Sequence, residues 1–260
     1  MTEKAIDPYL TMHILLSFLR RRASKVLPRP IVRWMGRIRG RPYSIPRGSV
    51  DFGDLKRLSP IGRNFGYERG TPVDRYYIED FLARNANDIR GQVLEAGSNH
   101  YTLRFGGTRV ERSDVLSIET NSRATIVGDL TQPGTLPEAA FDCIVLTQVL
   151  QLIYDLRAGI GRLYSALKPG GVLLVTAPGV SQSNHKPWTW YWTFTAPAIR
   201  RLFEDQFGKD AVSVEAHGNV FAACTFLHGI ATEELSISDL SVDDADYPII
   251  IAARVIRKDA

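Results

Sequence analysis

Hydrophobic positions mark out the elements of this chain before any other property is considered. Leu156, Ile160, Leu163 and Leu167 recur at helical spacing behind Asp155, which can cap a helix, and Lys168-Pro169-Gly170-Gly171 stops the pattern. Thr71-Pro72-Val73-Asp74 has the form of a helix start: a hydroxyl cap, proline at the first helical position and a carboxylate near the positive end of the dipole. Tyr77, Ile78, Phe81, Leu82 and Ile89 carry that helix to about Arg90. Between and after these helices lie short strand-like segments at 93–94, 110–116, 124–127, 143–146 and 172–175. A helix from Thr195, a strand at 212–216, an apolar segment at 220–230 and a last strand at 249–255 follow. Unalternated strands separated by crossovers predict an α/β fold, a parallel sheet with helices on both faces. The crossover at 98–108 is short for a helix.

Nearer the N-terminus, Leu10, Ile14, Leu15, Phe18 and Leu19 recur at helical spacing. Pro28 and Pro30 interrupt, and Ile31, Trp34, Met35 and Ile38 resume among arginines. Two basic amphipathic helices are expected, with residues 40–48 as a linker, so residues 1–47 form an arm and 48–260 the main domain. The arm either packs its apolar faces on that domain or docks on an anionic membrane surface or an acidic partner.

Composition narrows the class. The 260 residues are 44% hydrophobic and 23% charged, an ordinary globular balance. No apolar stretch in the first segment approaches the ~20 residues of a membrane span. Its arginines follow the apolar run, against a secretory signal, so a cytoplasmic protein, peripheral to a membrane if the arm docks there, is expected. Cys143 and Cys224 stand far apart, outside any thiolate-ligand pattern, and the five histidines lack ligand spacing, so no metal is expected. Residues 1–47 hold 11 Lys and Arg against Glu3 and Asp7, a charge of +9, which leaves −5 for the rest of the +4 total. The basic pI thus belongs to the arm, and the chain as a whole is not expected to bind nucleic acid.

Ligands of open α/β sheets bind beyond the carboxyl ends of the strands. The residues there are Glu95-Ala96-Gly97-Ser98-Asn99, then Asp114, then Gly128-Asp129-Leu130, then Thr147-Gln148. A nicotinamide dinucleotide would need Gly-x-Gly-x-x-Gly opening a helix, and that pattern is absent. A phosphate-free adenosine ligand fits better, because carboxylates can accept from ribose hydroxyls, an adenine amino group and an ammonium. S-adenosylmethionine carries all three. The acids could equally cap loops or pair with Arg104, Arg109 and Arg112.

Val93-Leu94-Glu95-Ala96-Gly97, Gly128-Asp129-Leu130, the run 141–150 and the run 167–175 resemble, in order and spacing, the motifs of class I S-adenosylmethionine-dependent methyltransferases of the type 11 kind. The resemblance spans about residues 70–255 and implies a Rossmann-like seven-stranded sheet, mostly parallel with an antiparallel last strand. It implies that Glu95, Gly97, Ser98 and Asn99 hold the methionine moiety, Asp114 the ribose and Asp129 the adenine, with Gly128, Leu130, Thr147 and Gln148 beside them. Two departures stand out. Asn99 replaces the usual second glycine, and asparagine tolerates positive φ while crowding the ligand. Glu119, after the run 115–118, competes with Asp114 for the ribose.

On the acceptor side, Trp188, Trp190 and Tyr191 follow the fifth strand, where the family places acceptor contacts, and aromatic rings stack on sugars or other flat groups. Arg75 and Tyr76 are expected at the pocket mouth, and His185 is the candidate base. The expected activity is methyl transfer to a small molecule or saccharide, at oxygen. The competing expectation is a methyltransferase-like binding or scaffold protein without turnover.

Overall fold

The computed structural model describes residues 50–183 and 187–258. The chain divides into two units at residue 56, and the second, 57–260, is compact. The expected arm, and the expected boundary at residue 47, lie outside the described residues.

The second unit is built on one sheet of seven strands: β1 (Gly91–Ala96), β2 (Val110–Ser117), β3 (Ile126–Val127), β4 (Phe141–Thr147), β5 (Leu167–Pro178), β6 (Val212–His217) and β7 (Ile250–Ile256). Their order is β3-β2-β1-β4-β5-β7-β6. β7 inserts between β5 and β6 and runs antiparallel to both, while the pairings among β1 to β5 are parallel. The order reverses between β1 and β4, the place where an open sheet parts its crossovers to either face and leaves a crevice. The expected α/β class and the antiparallel last strand are both present.

Consecutive strand residues serve opposite layers. Ile144 and Leu146 of β4 join Leu94, Leu173, Val175 and Val255 in one core, with Leu163 of α2 (Leu156–Ala166) and Phe203 of α3 (Ala196–Phe207). Cys143 and Val145 join Val93, Val172 and Leu174 in the other, with Ile78 and Phe81 of α1 (Val73–Arg84) and Phe226 of α4 (Val220–Leu227). Burial on both faces explains why these strands carry unbroken apolar runs. A last short helix, α5 (Ile237–Leu240), lies before β7.

Local signals set most helix ends. Asp155 accepts from the Ala158 N–H and Thr195 from the Ala198 N–H. Thr71 does not cap α1 as expected. Its hydroxyl donates to Glu233 at 2.6 Å, and α1 starts after Pro72 with no side-chain cap. α1 takes Pro72 as its N-cap, one residue later than the sequence suggests, and the Thr71 hydroxyl is engaged as the donor of a charge-assisted bond to a residue far along the chain. The short first crossover forms no α-helix. A wide π-type turn (Thr102–Gly106) and a 3₁₀ turn (Gly107–Arg109) carry the chain into β2.

Leu163 is fully buried between α2 and the sheet, whereas Leu103 is more than half exposed. Leu163→Ala is expected to lower unfolding free energy by ~2–5 kcal/mol, and Leu103→Ala to change it by under ~0.5 kcal/mol. Urea unfolding of the two variants checks this, and equal losses would contradict the packing described.

Candidate functional site

The carboxyl ends of β1, β2 and β4 and the turn after β3 open into one cavity of about 840 Å³. That is in the upper part of the ~300–1,000 Å³ range of small-molecule sites.

At the end of β1 the chain turns at Gly97, whose φ of +81° an L side chain rarely adopts. A Cβ there would meet nothing within 4 Å, so the backbone conformation, not crowding, calls for glycine. Glu95 is buried, and its carboxylate accepts from the Thr102 N–H at 2.7 Å, the Tyr101 N–H at 3.3 Å and the Ser98 hydroxyl at 3.1 Å. Burial pushes this carboxyl above its ordinary pKa, opposed by those bonds. Glu95 therefore spends its hydrogen bonds on shaping its own loop. Asn99 does not line the cavity and does not have a positive φ, so the departure it represents neither strains the turn nor crowds the space.

β2 corrects an expectation. Asp114 does not end the strand; it pairs with Leu94 in mid-strand, and its buried carboxylate accepts from Thr125 Oγ1 at 3.0 Å, Arg112 Nε at 3.0 Å and Gln92 Nε2 at 3.1 Å. It is absent from the cavity wall, which takes Leu116, Ser117 and Ile118 instead. An acid inside a doubly covered sheet needs several partners to offset its desolvation, and Asp114 has them in neighbouring strands and loops. Glu119 lies exposed, two residues beyond the end of β2 and next to Ile118 of the cavity wall, which does not itself include Glu119.

Gly128 and Asp129 follow β3 at the cavity wall with Leu130 and Thr131. Asp129 Oδ1 accepts from the Thr131 N–H at 2.8 Å and its hydroxyl at 2.9 Å, a turn that holds the exposed carboxylate in place. After β4, Thr147 and Gln148 both reach the cavity. Gln148 has a φ of +56°, a conformation that costs a side-chain-bearing residue ~1–3 kcal/mol and gathers at functional sites. Its backbone N–H is held by the Thr176 carbonyl, and its carbonyl accepts from Gln151 Nε2 at 2.9 Å. Gln148 Nε2 and Gln151 Oε1 are buried without a partner among the described residues, although both side chains reach the cavity wall. Orphaned polar atoms of this kind call for a bound polar molecule.

Trp188, Trp190 and Tyr191 line the same cavity. Trp190 stacks on Phe65 with ring centroids 6.1 Å apart, and the Tyr191 N–H donates to the Gln151 carbonyl. Tyr154 meets Tyr191 edge-on at 5.3 Å and stacks on Trp192, whose indole N–H donates to the Ile153 carbonyl. The aromatic segment is thus tied to the turn after β4. Arg75 lines the cavity and Tyr76 does not; the Tyr76 ring packs edge-on against Tyr77. His185 lies outside the described residues. Sequence reasoning missed Asp74, Tyr67 and Tyr101, which also face the cavity. For Asp74 the proline-led helix start was a signal, read only as capping.

A methyltransferase-domain family profile matches residues 63–209, more than half of the chain. The chain belongs to the methyltransferase-domain family. Among solved structures, this methyltransferase domain resembles the [4+2]-cyclase SpnF at 14% identity, with a TM-score of 0.50 over 87% of this chain and 92% of that one. It also resembles N-methyltransferase NodS from Bradyrhizobium japonicum in complex with S-adenosyl-L-homocysteine, at 15% identity and a TM-score of 0.47 over 79% and 97%. Phosphoethanolamine N-methyltransferase 2 from Haemonchus contortus, in complex with S-adenosyl-L-methionine, matches at 16% and 0.47 over 80% of this chain; the chain spans 55% of that protein. At 14% identity the likeness to SpnF is one of fold. No curated protein matches the sequence.

If Glu95 shapes the loop of the methyltransferase domain, Glu95→Gln sets an amide N–H₂ against backbone N–H groups. Amide hydrogen exchange at Tyr101 and Thr102 is expected to speed at least about tenfold, matching the loss of ~1.4 kcal/mol or more of local stability. Unchanged exchange would remove the role given to this carboxylate.

Proposed function

We propose that the protein binds S-adenosylmethionine in this cavity and transfers its methyl group to a hydroxyl oxygen of a saccharide or other small molecule. One observation carries the reading: in a chain of the methyltransferase-domain family, the glycine turn after β1, Asp129 after β3 and the orphaned amide of Gln148 after β4 meet in one cavity.

The residues fit the cofactor. Gly97 leaves the space beside the loop open, Asp129 offers a carboxylate to an adenine amino group, and the end of β2 leads directly to Glu119, which we assign to the ribose hydroxyls in place of Asp114. Ser98, Gly128, Leu130 and Thr147 complete the wall. The bound cofactor supplies an electrophilic methyl group on a sulfonium, so the reaction is an in-line displacement. The protein's part is to hold the acceptor oxygen opposite the leaving sulfur at near-attack distance, to exclude water, and to pass the hydroxyl proton to a base. His185 remains the candidate base. Trp188 and Tyr191, with their exposed aromatic surface at the rim, suit the apolar face of a sugar ring, and hydroxyls can satisfy Gln148 and Gln151.

Calorimetric titration with S-adenosylhomocysteine tests the cofactor assignment. Asp129→Ala and Glu119→Ala are each expected to weaken binding about tenfold, the scale of one charge-assisted hydrogen bond. Asp114→Ala is expected to lower the melting temperature with binding within about twofold of wild type, since its partners are structural. No heat and no thermal shift at millimolar ligand would overturn the proposal and favour a scaffold protein.

Labelled methyl transfer onto panels of monosaccharides, phenols and amines tests the acceptor. Label is expected on hydroxyl acceptors, and Trp188→Ala is expected to reduce it without changing S-adenosylhomocysteine binding. Label on amines alone would refute transfer to oxygen.

A further inference from the structure

α4 carries no charged residue and a single hydroxyl, Thr225, and a helix that is apolar all round is normally enclosed on every side. Here only one side is enclosed. Ala222, Ala223 and Phe226 pack into the core, and the Thr225 hydroxyl donates to the Ala222 carbonyl at 3.0 Å. On the outer side Val220, Phe221 and Leu227 are each at least 43% exposed, and Cys224 is exposed between them. These four positions make the stripe that one helix presents to another.

α5 and the residues after it extend the stripe. Asn219 Oδ1 caps α4 by accepting from the Ala222 N–H at 2.9 Å, while Asn219 Nδ2 donates to the carbonyls of Asp239 and Val242 at 2.8 Å each. One side chain thus holds α5 and Val242 at the start of α4. Ile237 and Val242 are 73% and 61% exposed, so apolar side chains from three segments gather on one outer region. The charge there has one sign. From Val220 to Pro248 the chain has no Lys or Arg, and its six acids, Glu233, Glu234, Asp239, Asp243, Asp244 and Asp246, are all exposed. Glu234 pairs with Arg69, Glu233 takes Thr71, and Asp243 takes the Gly218 N–H and faces His217. Asp239, Asp244 and Asp246 have no cation partner among the described residues. The Asp244 N–H donates to the Gly218 carbonyl, directly before α4, so this charge belongs to the same region.

We propose that the outer face of α4, with Ile237 and Val242, docks a basic amphipathic helix of a partner protein. An apolar stripe at helical spacing, flanked by unpaired acids, complements a helix with apolar residues at i, i+4 and i+7 and Lys or Arg beside them. A bilayer is the poorer match, because interfacial surfaces carry Lys and Arg next to their apolar groups and acids repel anionic headgroups. The inference does not depend on what the cavity binds. From its buried side, however, α4 leads to the cavity wall: Phe226 stacks on Phe65 with centroids 6.2 Å apart, and Phe65 on Trp190.

Cys224 lies on the stripe and Cys143 is buried, so alkylation of the native full chain by neutral iodoacetamide reads this face alone. The probes are a synthetic peptide with Leu at helical spacing and Lys elsewhere, its counterpart with Glu in place of Lys, and vesicles containing anionic phospholipid. The Lys peptide is expected to slow alkylation at least about tenfold at low salt, and to lose most of that effect at 1 M salt, where the screening length falls to about 3 Å. The Glu peptide and the vesicles are expected to leave the rate within twofold. Phe221→Asn and Ile237→Asn are each expected to weaken the Lys peptide about tenfold with an unchanged melting temperature, since both side chains are exposed. Asp244→Asn combined with Asp246→Asn is expected to flatten the salt dependence. No protection by the Lys peptide, equal protection by both peptides, or protection by vesicles alone would overturn the proposal. Slow alkylation in the peptide-free chain would show the face already covered and would overturn docking of a separate partner.

Discussion

A sheet covered on both faces has no place for unpaired polar chemistry along its strands. Cys143, Ile144, Val145 and Leu146 are all buried, alternately under the two helical layers, and the same holds for Leu173, Leu174 and Val175. Polar groups can serve a ligand only where strands stop, and parallel strands stop together at one edge. The cavity follows from that constraint, because the turns after β1 to β4 must all emerge there. Asp114 shows the same rule from within. As an acid in mid-strand it is supplied with Arg112, Thr125 and Gln92, and it serves the sheet, not a ligand.

The part of the cavity wall that α1 supplies has a different origin. α1 and the segment before it lie outside the strand-end rule and are fixed by the residues around 231–234 through Glu233, Glu234 and a short backbone bridge. Burial dominates the environment of Asp74, and Arg75 is the cation nearest to it. A wall assembled this way can differ in charge from one chain to another without disturbing the sheet, because its anchoring bonds are surface bonds.

The sequence was legible wherever local pattern and burial agree. Helical spacing in Leu156, Ile160 and Leu163, the caps at Asp155 and Thr195, and the unalternated strands predicted the elements close to where they stand. It was less legible where a distant residue intervenes. Thr71 has the chemistry of a helix cap, yet Glu233 takes its hydroxyl. Asp114 resembles a strand-end acid because nothing local shows that the pleat continues to Ser117. The backbone of Gln148 carries no sequence signal for positive φ, since only the bonds to Thr176 and Gln151 hold it there. Asn99 looked like an obstruction and lies off the cavity.

By itself, then, the sequence determined the order and type of the elements, the two-sided burial of the sheet and the edge at which chemistry gathers. Each of these follows from periodicities and turn residues that act over a few positions. Only the tertiary structure decided which acids face the cavity, which are consumed by the fold, and that a carboxylate and a guanidinium from α1 join the strand ends in the cavity wall. Those outcomes depend on partners many residues away, and a hydrogen bond between distant residues leaves no periodic trace in either segment.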